Sequence, residues 1–414
     1  MNAACHRRTT CRLCGGQHLS EVLSLEPTPP ANAFVSEDQL SEPQPTFPLD
    51  VFFCEDCHHV QLLDVVDPAV LFENYVYVSG TSPLFVKHFE DYAAFVIDTY
   101  APPPGSLVFD IGSNDGTLLK AFKRAGHKAL GVDPAKDIAA AATVGGIDTI
   151  TGFFSVAMAE TIRSEHGPAG VVTANNVFAH IDDLGGVLDG VHTLLDDDGV
   201  FVFEVSYLVD VFEHTLFDTI YHEHLAYHTV APLVAFMAAH GMELIGASRV
   251  SSHGGSLRAV AQKAGGGRTV SRSVSELIDL EKKMGLDKAE TYRDFGLRID
   301  VLKAELSTLL REKKAAGRTI AAFGAPAKAT TLMYHFGIGA DLIDFIVDDS
   351  PLKQGLYSPG MHIPVVPSSM IDQRKPDDIV ILAWNFAVPI MQKNRDFTES
   401  GGQFIIPLPS LETH

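Results

Sequence analysis

VFDIGSNDGTLLKAF, residues 108–122, reads as a buried strand, a glycine-bounded turn and the opening of an amphipathic helix. The strand ends at Ile111, Gly112 and Gly116 allow a tight backbone, and the helix that follows points its N-terminus at whatever lies above the turn. The spacing is GxxxG. A dinucleotide fold uses GxGxxG so that a pyrophosphate can approach the helix, whereas Asn114 and Asp115 put an acid at that place. An acid is unfavourable beside a pyrophosphate and favourable beside an ammonium or a sulfonium. The turn therefore suits S-adenosylmethionine better than a dinucleotide, and a βαβ unit with no ligand is the plainer alternative.

Around this turn the pattern alternates. LVFDIG, TLLKAFKRAG, KALGVD, an alanine-rich helix after Pro134, GVVTANNV, a helix around 183 to 195 and GVFVFEVSYL imply a parallel sheet with crossover helices. Residues 273–317 then read as long helices with charge on one face and Leu/Ile on the other. The alternation restarts with RTIAAFGAPAKATTLMYHF, LIDFIVDDS and DIVILAW, which predicts a second, smaller α/β domain. The fold class is α/β: a cysteine lobe over 1–70, a Rossmann-like methyl-donor domain over 71–265, and a helical spacer with a smaller Rossmann-like domain over 266–414. Asp133, at the end of the second strand and 21 residues after Gly112, is placed to accept from the ribose hydroxyls, a spacing that dinucleotide enzymes share.

Upstream of the sheet stand two CxxC pairs, Cys11/Cys14 and Cys54/Cys57, able to place four thiolates around one structural Zn²⁺. CxxC neighbours are poorly placed for unstrained structural disulfides, no secretory leader is read at the N-terminus, and a redox role is a further alternative. Cys5 sits in a polar tail expected to be disordered, and His58 and His59 are expected at the surface. The segment from Glu26 to Asp50 is rich in Pro and acid and reads as a loop.

The 414 residues carry a net charge of −21, which argues against holding a nucleic-acid backbone by bulk electrostatics, so an anionic ligand must be held by a local pocket. No apolar run reaches the roughly 18 residues of a membrane span. Cytoplasm is the expected compartment.

Two clusters fall where chemistry would need them. ANNVFAHIDD, residues 174–183, follows a buried strand and brings Asn175, Asn176 and His180 to the carboxyl edge of the sheet. FDTIYHEHLAYH, residues 217–228, crowds Tyr221, His222, Glu223, His224, Tyr227 and His228 into eight positions. On a helix or tight turn Tyr221 and His224 share a face, and Glu223 is placed to orient an imidazole. A metal site from His222, His224 and His228, and a polar surface turn, are the competing readings.

These pieces, CRLC, CEDC, DIGSNDGTL, NNVFAHI, FDTIYHEHLAY, SSHGGSLR and FGAPAKATTLMYHFGI, resemble in order the zinc-containing, S-adenosylmethionine-dependent sugar C-methyltransferases that act on nucleotide-linked 4-keto-deoxysugars, as in antibiotic deoxysugar biosynthesis. The resemblance covers essentially the whole chain. It implies that Cys11, Cys14, Cys54 and Cys57 bind zinc and that Asp110, Gly112, Asn114, Asp115, Asp133, Asn175 and Asn176 line the donor site. It implies catalytic roles for Tyr221, Glu223, His224, His180 and Tyr75. It gives Tyr77, His253, Arg258, Lys328 and Asn385 to a nucleotide-sugar lying between the second and third domains, with Tyr75 and Tyr77 ambiguous by two residues. A monomer is expected.

The implied chemistry is alkylation of a carbon next to a ketone: His224, oriented by Glu223 and poised near neutrality, removes the proton, and Tyr221 or His180 hydrogen-bonds the enolate oxygen. A small-molecule O-methyltransferase would leave the third domain unexplained, an NAD-dependent nucleotide-sugar oxidoreductase lacks its GxGxxG, and a zinc-ribbon binding module would have no donor affinity. C-3 against C-5 methylation and dTDP against GDP stay open, with C-3 and dTDP favoured.

Overall fold

The computed structural model describes residues 4–72, 80 and 83–414. In the first lobe β1 (Cys5–Arg7) and β5 (Asp64–Val66) pair antiparallel, beside a sheet built from β2 (Leu19–Thr28), β3 (Phe47–Cys54) and β4 (Val60–Leu62). The fourth strand of that sheet is supplied from far downstream, by Ala226–Tyr227 paired with Val60 and Gln61. Two expectations need correction here. The tail at Cys5 is a strand, because it finds an open edge at Asp64–Val66 and Arg7 reaches the Asp64 carboxylate at 3.2 Å. His59 is fully buried, because its carbonyl accepts from the Cys54 amide at 2.8 Å and folds the knuckle back under the sheet. The Pro-rich loop is also shorter than the composition suggests, since β2 runs to Thr28 and β3 begins at Phe47.

After α1 (Pro68–Phe72) and α2 (Pro83–Tyr100) come β6 (Leu107–Ile111), α3 (Thr117–Arg124), β7 (Lys128–Asp133), α4 (Lys136–Val144), β8 (Asp148–Thr151), α5 (Val156–His166), β9 (Ala169–Asn175), α6 (Leu184–Leu194) and β10 (Leu195–Ser206). Then follow α7 (Leu208–Glu213), β11 (Ala226–Tyr227), α8 (Val230–Ala239), β12 (Met242–Val250) and β13 (Ser256–Lys263). Seven strands form one sheet in the order β12-β13-β10-β9-β6-β7-β8, parallel except for β13, which runs against both its neighbours. Because β6 feeds crossovers to one side and β9 to the other, the strand order reverses between them, and the crevice at their carboxyl ends is where such sheets take ligands. Val108, Val171, Val202 and Val260 pack under Tyr92 and Val96 of α2 and Phe122 of α3. Phe109 and Val172, pointing the opposite way by the two-residue period, pack with Ile162 of α5 and Val191 of α6.

The helices α9 (Arg272–Lys283) and α10 (Ala289–Ala315) lead to β14 (Ile320–Phe323), α11 (Ala327–Phe336), β15 (Phe345–Val347), β16 (Val365–Val366), α12 (Met370–Arg374), β17 (Asp378–Ile381), α13 (Ala387–Lys393), α14 (Arg395–Glu399), β18 (Gln403–Ile406) and β19 (Glu412–Thr413). This sheet has the order β16-β15-β14-β17-β18-β19, parallel except for β19. It has its own reversal point, between β14 and β17.

Candidate active site

The turn after β6 is held open from below. Gly112 adopts φ +68°, and a Cβ there would come within 2.4 Å of the Val177 side chain, so only glycine lets the β6 and β9 loops approach this closely. Asp133 grips the same turn, one carboxylate oxygen accepting from the Asn114 amide and the other from Ala135, each at 2.9 Å. Asp115 accepts from the amide and hydroxyl of Thr117 and from the Gly80 amide, which fixes the start of α3. Asp110 lies buried beneath, accepting from the Thr173 hydroxyl at 2.6 Å, and burial pushes its carboxyl up to about 7. Asn176 holds φ +54° while its amide donates to the Glu204 carbonyl. Neither amide atom of Asn175 makes a formed hydrogen bond among the described residues, since the neighbouring Tyr92 hydroxyl is turned to the Val202 carbonyl at 3.0 Å. A polar amide at the crevice, beside the carboxylates and the tight glycine turn, gives a lining whose chemistry fits S-adenosylmethionine.

Beside the crevice stands a stack of rings. His180 lies parallel to Phe72 (5.7 Å between centroids, 8°) and to His224 (5.0 Å, 25°), and His224 meets Tyr221 at 4.1 Å. The structure thus brings together three of the sequence-derived candidates, from β9's loop and from the turn after α7. The ring of His224 is aimed by its own turn: Nδ1 lies 2.7 Å from the Thr219 carbonyl, which makes it the protonated nitrogen and leaves Nε2 as the basic one. Glu223 accepts from Asn32 of the first lobe at 2.9 Å. The imidazole is not poised near neutrality. Burial among rings pushes His224 down to about 4, with the Thr219 bond acting the other way, so it stands neutral at physiological pH.

The turn that carries these groups is fastened on every side. The Ile220 carbonyl accepts from Thr331 of α11 at 2.8 Å, and Asp218 accepts from the Trp384 indole at 2.6 Å. The Leu225 carbonyl accepts from the Leu62 amide, while the Ala179 carbonyl accepts from the amides of Leu225 and Ala226. His222 turns inward to the Phe47 and Pro48 carbonyls, each at 3.2 Å. Among the described residues His222, His224 and His228 do not assemble as a metal site.

At the reversal point of the third sheet, Lys328 donates to Asn385 at 2.9 Å and lies 3.5 Å above the Trp384 ring. Burial pushes Lys328 down to about 8, with Asp218 opposing. Asp218 and Trp384 escaped sequence reasoning, although Asp218 stands in the same run as Tyr221. Arg258 is spent on Glu204 (2.6 Å), which also meets His88 at 2.7 Å, and its guanidinium is covered by the rings of Tyr92 and Phe95. Tyr75, Tyr77 and the His253 side chain lie outside the described residues.

In the first lobe the sulfurs of Cys11, Cys14, Cys54 and Cys57 lie within 4.8 Å of one another, with Cys11–Cys57 and Cys14–Cys54 at 3.6 Å. Four thiolates at Zn–S distances of about 2.3 Å stand about 3.8 Å apart, so the cluster fits the ion.

Three families match successive parts of the chain: a zinc binding domain over 11–72, a methyltransferase domain over 86–246 and a C-methyltransferase C-terminal domain over 251–409. The C-methyltransferase NovU of Streptomyces niveus is 35% identical over 399 residues, covering 96% of this chain and 95% of its own. The chain belongs to the C-methyltransferase family. It is an S-adenosylmethionine-dependent C-methyltransferase with a zinc-binding N-terminal lobe. Among solved structures it is similar to the PH0226 protein of Pyrococcus horikoshii OT3 (14% identical, TM-score 0.37, 45% of this chain and 94% of that one). It is also similar to an S-adenosylmethionine-dependent methyltransferase of Clostridium acetobutylicum ATCC 824 (12%, TM-score 0.34, 44% and 92%). Scores of this size decide nothing. No helix among the described residues of this C-methyltransferase is long and apolar enough to cross a membrane.

The buried histidines are expected to make the C-methyltransferase acid-labile. Burial lowers His222, His224 and His335 to about 4 and His228 to about 3. Below the ordinary value near 6.5 the unfolded chain takes up protons that the native one refuses, so stability is fully present above that pH and is lost as pH falls towards 4. Each group contributes about 1.4 kcal/mol per pH unit in that window, while the raised carboxyls of Asp110, Asp218 and Glu281 act in the opposite sense. The expected outcome is a melting temperature that is flat from pH 8 to 7 and falls steadily from 6.5 to 5 by calorimetry. A melting temperature that rises on acidification would show the carboxyls winning.

Proposed function

We propose that the chain transfers a methyl group to the carbon next to the 4-keto group of a nucleotide-linked deoxysugar, with dTDP as the nucleotide and C-3 as the favoured position. The observation that carries this reading is the stack of two imidazoles and a phenol beside the donor crevice, with Lys328 and Asn385 at the reversal point of a second sheet to meet a diphosphate. The curated relative is named a C-methyltransferase, and carbon alkylation needs a base where O-methylation of an acidic hydroxyl needs little.

When bound, S-adenosylmethionine would supply an electrophilic sulfonium methyl to the enolate carbon, the new C–C bond replacing the S–C bond. His224 Nε2 takes the proton from the carbon beside the ketone, and the C–H electron pair passes into the carbonyl to give an enolate. Tyr221 or His180 donates to the developing oxyanion, a contact of the kind that lowers a barrier by roughly 3 kcal/mol. Glu223, tied to Asn32, holds the turn to the first lobe. Asp133, Asn114, Asn175 and Asn176 orient the donor, assisted by Asp110 and Asp115, which hold the turn in shape. The zinc has four thiolates and no open position for chemistry. The chain works as a monomer in the cytoplasm, in three parts divided near residues 70 and 265, with the sugar between the second and third.

Incubation with S-adenosylmethionine and a panel of dTDP- and GDP-linked 4-keto-deoxysugars in deuterated water tests the reading by mass spectrometry and NMR. The expected product gains one C-linked methyl, and the donor-free reaction shows deuterium uptake beside the ketone. An O-linked methyl, or methylation of a substrate without a ketone, would refute it.

A further inference from the structure

Arg12 stands inside the first cysteine knuckle, between Cys11 and Cys14, with a side chain that no solvent reaches. Its Nη1 donates to Gln61 Oε1 (3.1 Å), the Leu62 carbonyl (3.1 Å) and the Leu225 carbonyl (3.0 Å), and its Nη2 donates to Asp182 Oδ1 (3.1 Å). Gln61 is itself held by the Arg12 amide at 2.9 Å, and Asp182 also accepts from Arg8 at 2.9 Å. Two of these acceptors flank the ring stack: Leu225 follows His224, and Asp182 lies two residues after His180.

We propose that Arg12 is a positioning residue that transmits the rigidity of the zinc knuckle to His180 and His224. The two histidine segments are joined by the stacking of His180 on His224 and by the Ala179 carbonyl, which accepts from Leu225 and Ala226 at 2.9 and 3.1 Å. Arg12 closes that junction from behind, fixing a residue on each segment with one planar fork. Bound zinc would hold the fork, since Cys11 and Cys14, on either side of the arginine backbone, stand in the four-sulfur cluster that fits the ion. Lysine cannot substitute, since one ammonium on a flexible stem does not span acceptors on Gln61, Leu62, Leu225 and Asp182 together. The inference rests on His180 and His224 being the working pair.

The test compares Arg12→Lys and Arg12→Gln with the unsubstituted protein in four readings: zinc content by mass spectrometry, S-adenosylhomocysteine affinity by calorimetry, amide hydrogen exchange, and kcat with KM. The expected result is stoichiometric zinc and donor affinity within about twofold. Exchange in segments 176–183 and 219–229 rises about 10- to 100-fold, the opening that loss of one charge-assisted hydrogen bond allows, while segment 107–124 is unchanged. The turnover falls by a similar factor with little change in the donor KM. Unchanged exchange in the two segments, or equal loosening of 107–124, overturns the proposal, as does a kcat within about threefold of normal. Should the unsubstituted protein act on no keto sugar, the reading of the reaction fails while the exchange measurement still decides the role of Arg12. If neither variant folds, Asp182→Asn at a residue with a 26% exposed side chain takes their place: loosening of 176–183 supports the proposal, and none overturns it.

Discussion

His224→Asn lowers kcat by roughly 10²- to 10⁴-fold while leaving donor affinity unchanged, the loss expected when a positioned general base is removed. Asparagine suits the test because its side-chain NH₂ can take the place of Nδ1 and keep the bond to the Thr219 carbonyl, so the turn stays fastened while the basic nitrogen disappears. The pH profile adds a second reading. With His224 held neutral down to about 4, kcat/KM of the unsubstituted enzyme stays level from pH 8 to 6, where an imidazole at its ordinary value would already be losing activity. An acid limb near 6.5, or near-normal turnover in the variant, would remove His224 from the role of base and pass it to His180 or Tyr221.

Removing the metal has the second large effect. Structural zinc contributes roughly 10–16 kcal/mol of folding free energy in isolated zinc-finger peptides. This lobe keeps a core of its own through Leu49, Val51, Phe53 and Val65, so about 5 kcal/mol is a reasonable share, equivalent to a melting temperature lower by about 6 °C if the chain unfolds as one unit. Cys54→Ser, at a buried sulfur, should do as much as chelation. Loss of one zinc per chain without change in melting temperature would assign the cysteines another role. Because β11 joins the lobe's sheet and carries on from His224, activity is expected to fall earlier in a chelator titration than donor binding does.

The alternation of strand and helix was legible because periodicity is local: strand, turn and helix repeat at the spacing that a parallel sheet requires, and the glycines of the β6 turn announce its geometry, whereas the strand order and the antiparallel β13 depend on long-range pairing. The ring stack was legible only as composition. That Tyr221 and His224 share a face follows from their spacing, but the approach of His180 and Phe72 depends on how the loop after β9 and the end of α1 fold. The partners of the site were harder to read. Thr219 aims His224 through a carbonyl, which any residue type provides, so no side chain advertises the contact. Asn32 lies in a segment whose prolines suggest only a loop, and it is held by a carboxylate from residue 223. The low proton affinity of His224 was out of reach for the same reason, since it comes from burial in the folded chain, against rings that include His180 from a distant loop. Cys5 and His59 were misplaced because polarity was read as exposure, whereas an open strand edge and a folded-back knuckle cover them.

Arg12 meets the Leu225 carbonyl across a separation of 213 residues. During synthesis, then, the metal-binding hairpins leave the ribosome long before the strand that finishes their sheet, and they wait with an uncovered edge and an uncommitted guanidinium until the middle domain has been made. Contacts of such long range close late and slowly. A zinc-loaded fragment stopping short of Ala226 is therefore a sheet with three of its four strands and an adhesive edge, and the interval before its completion is when this chain is most exposed to aggregation.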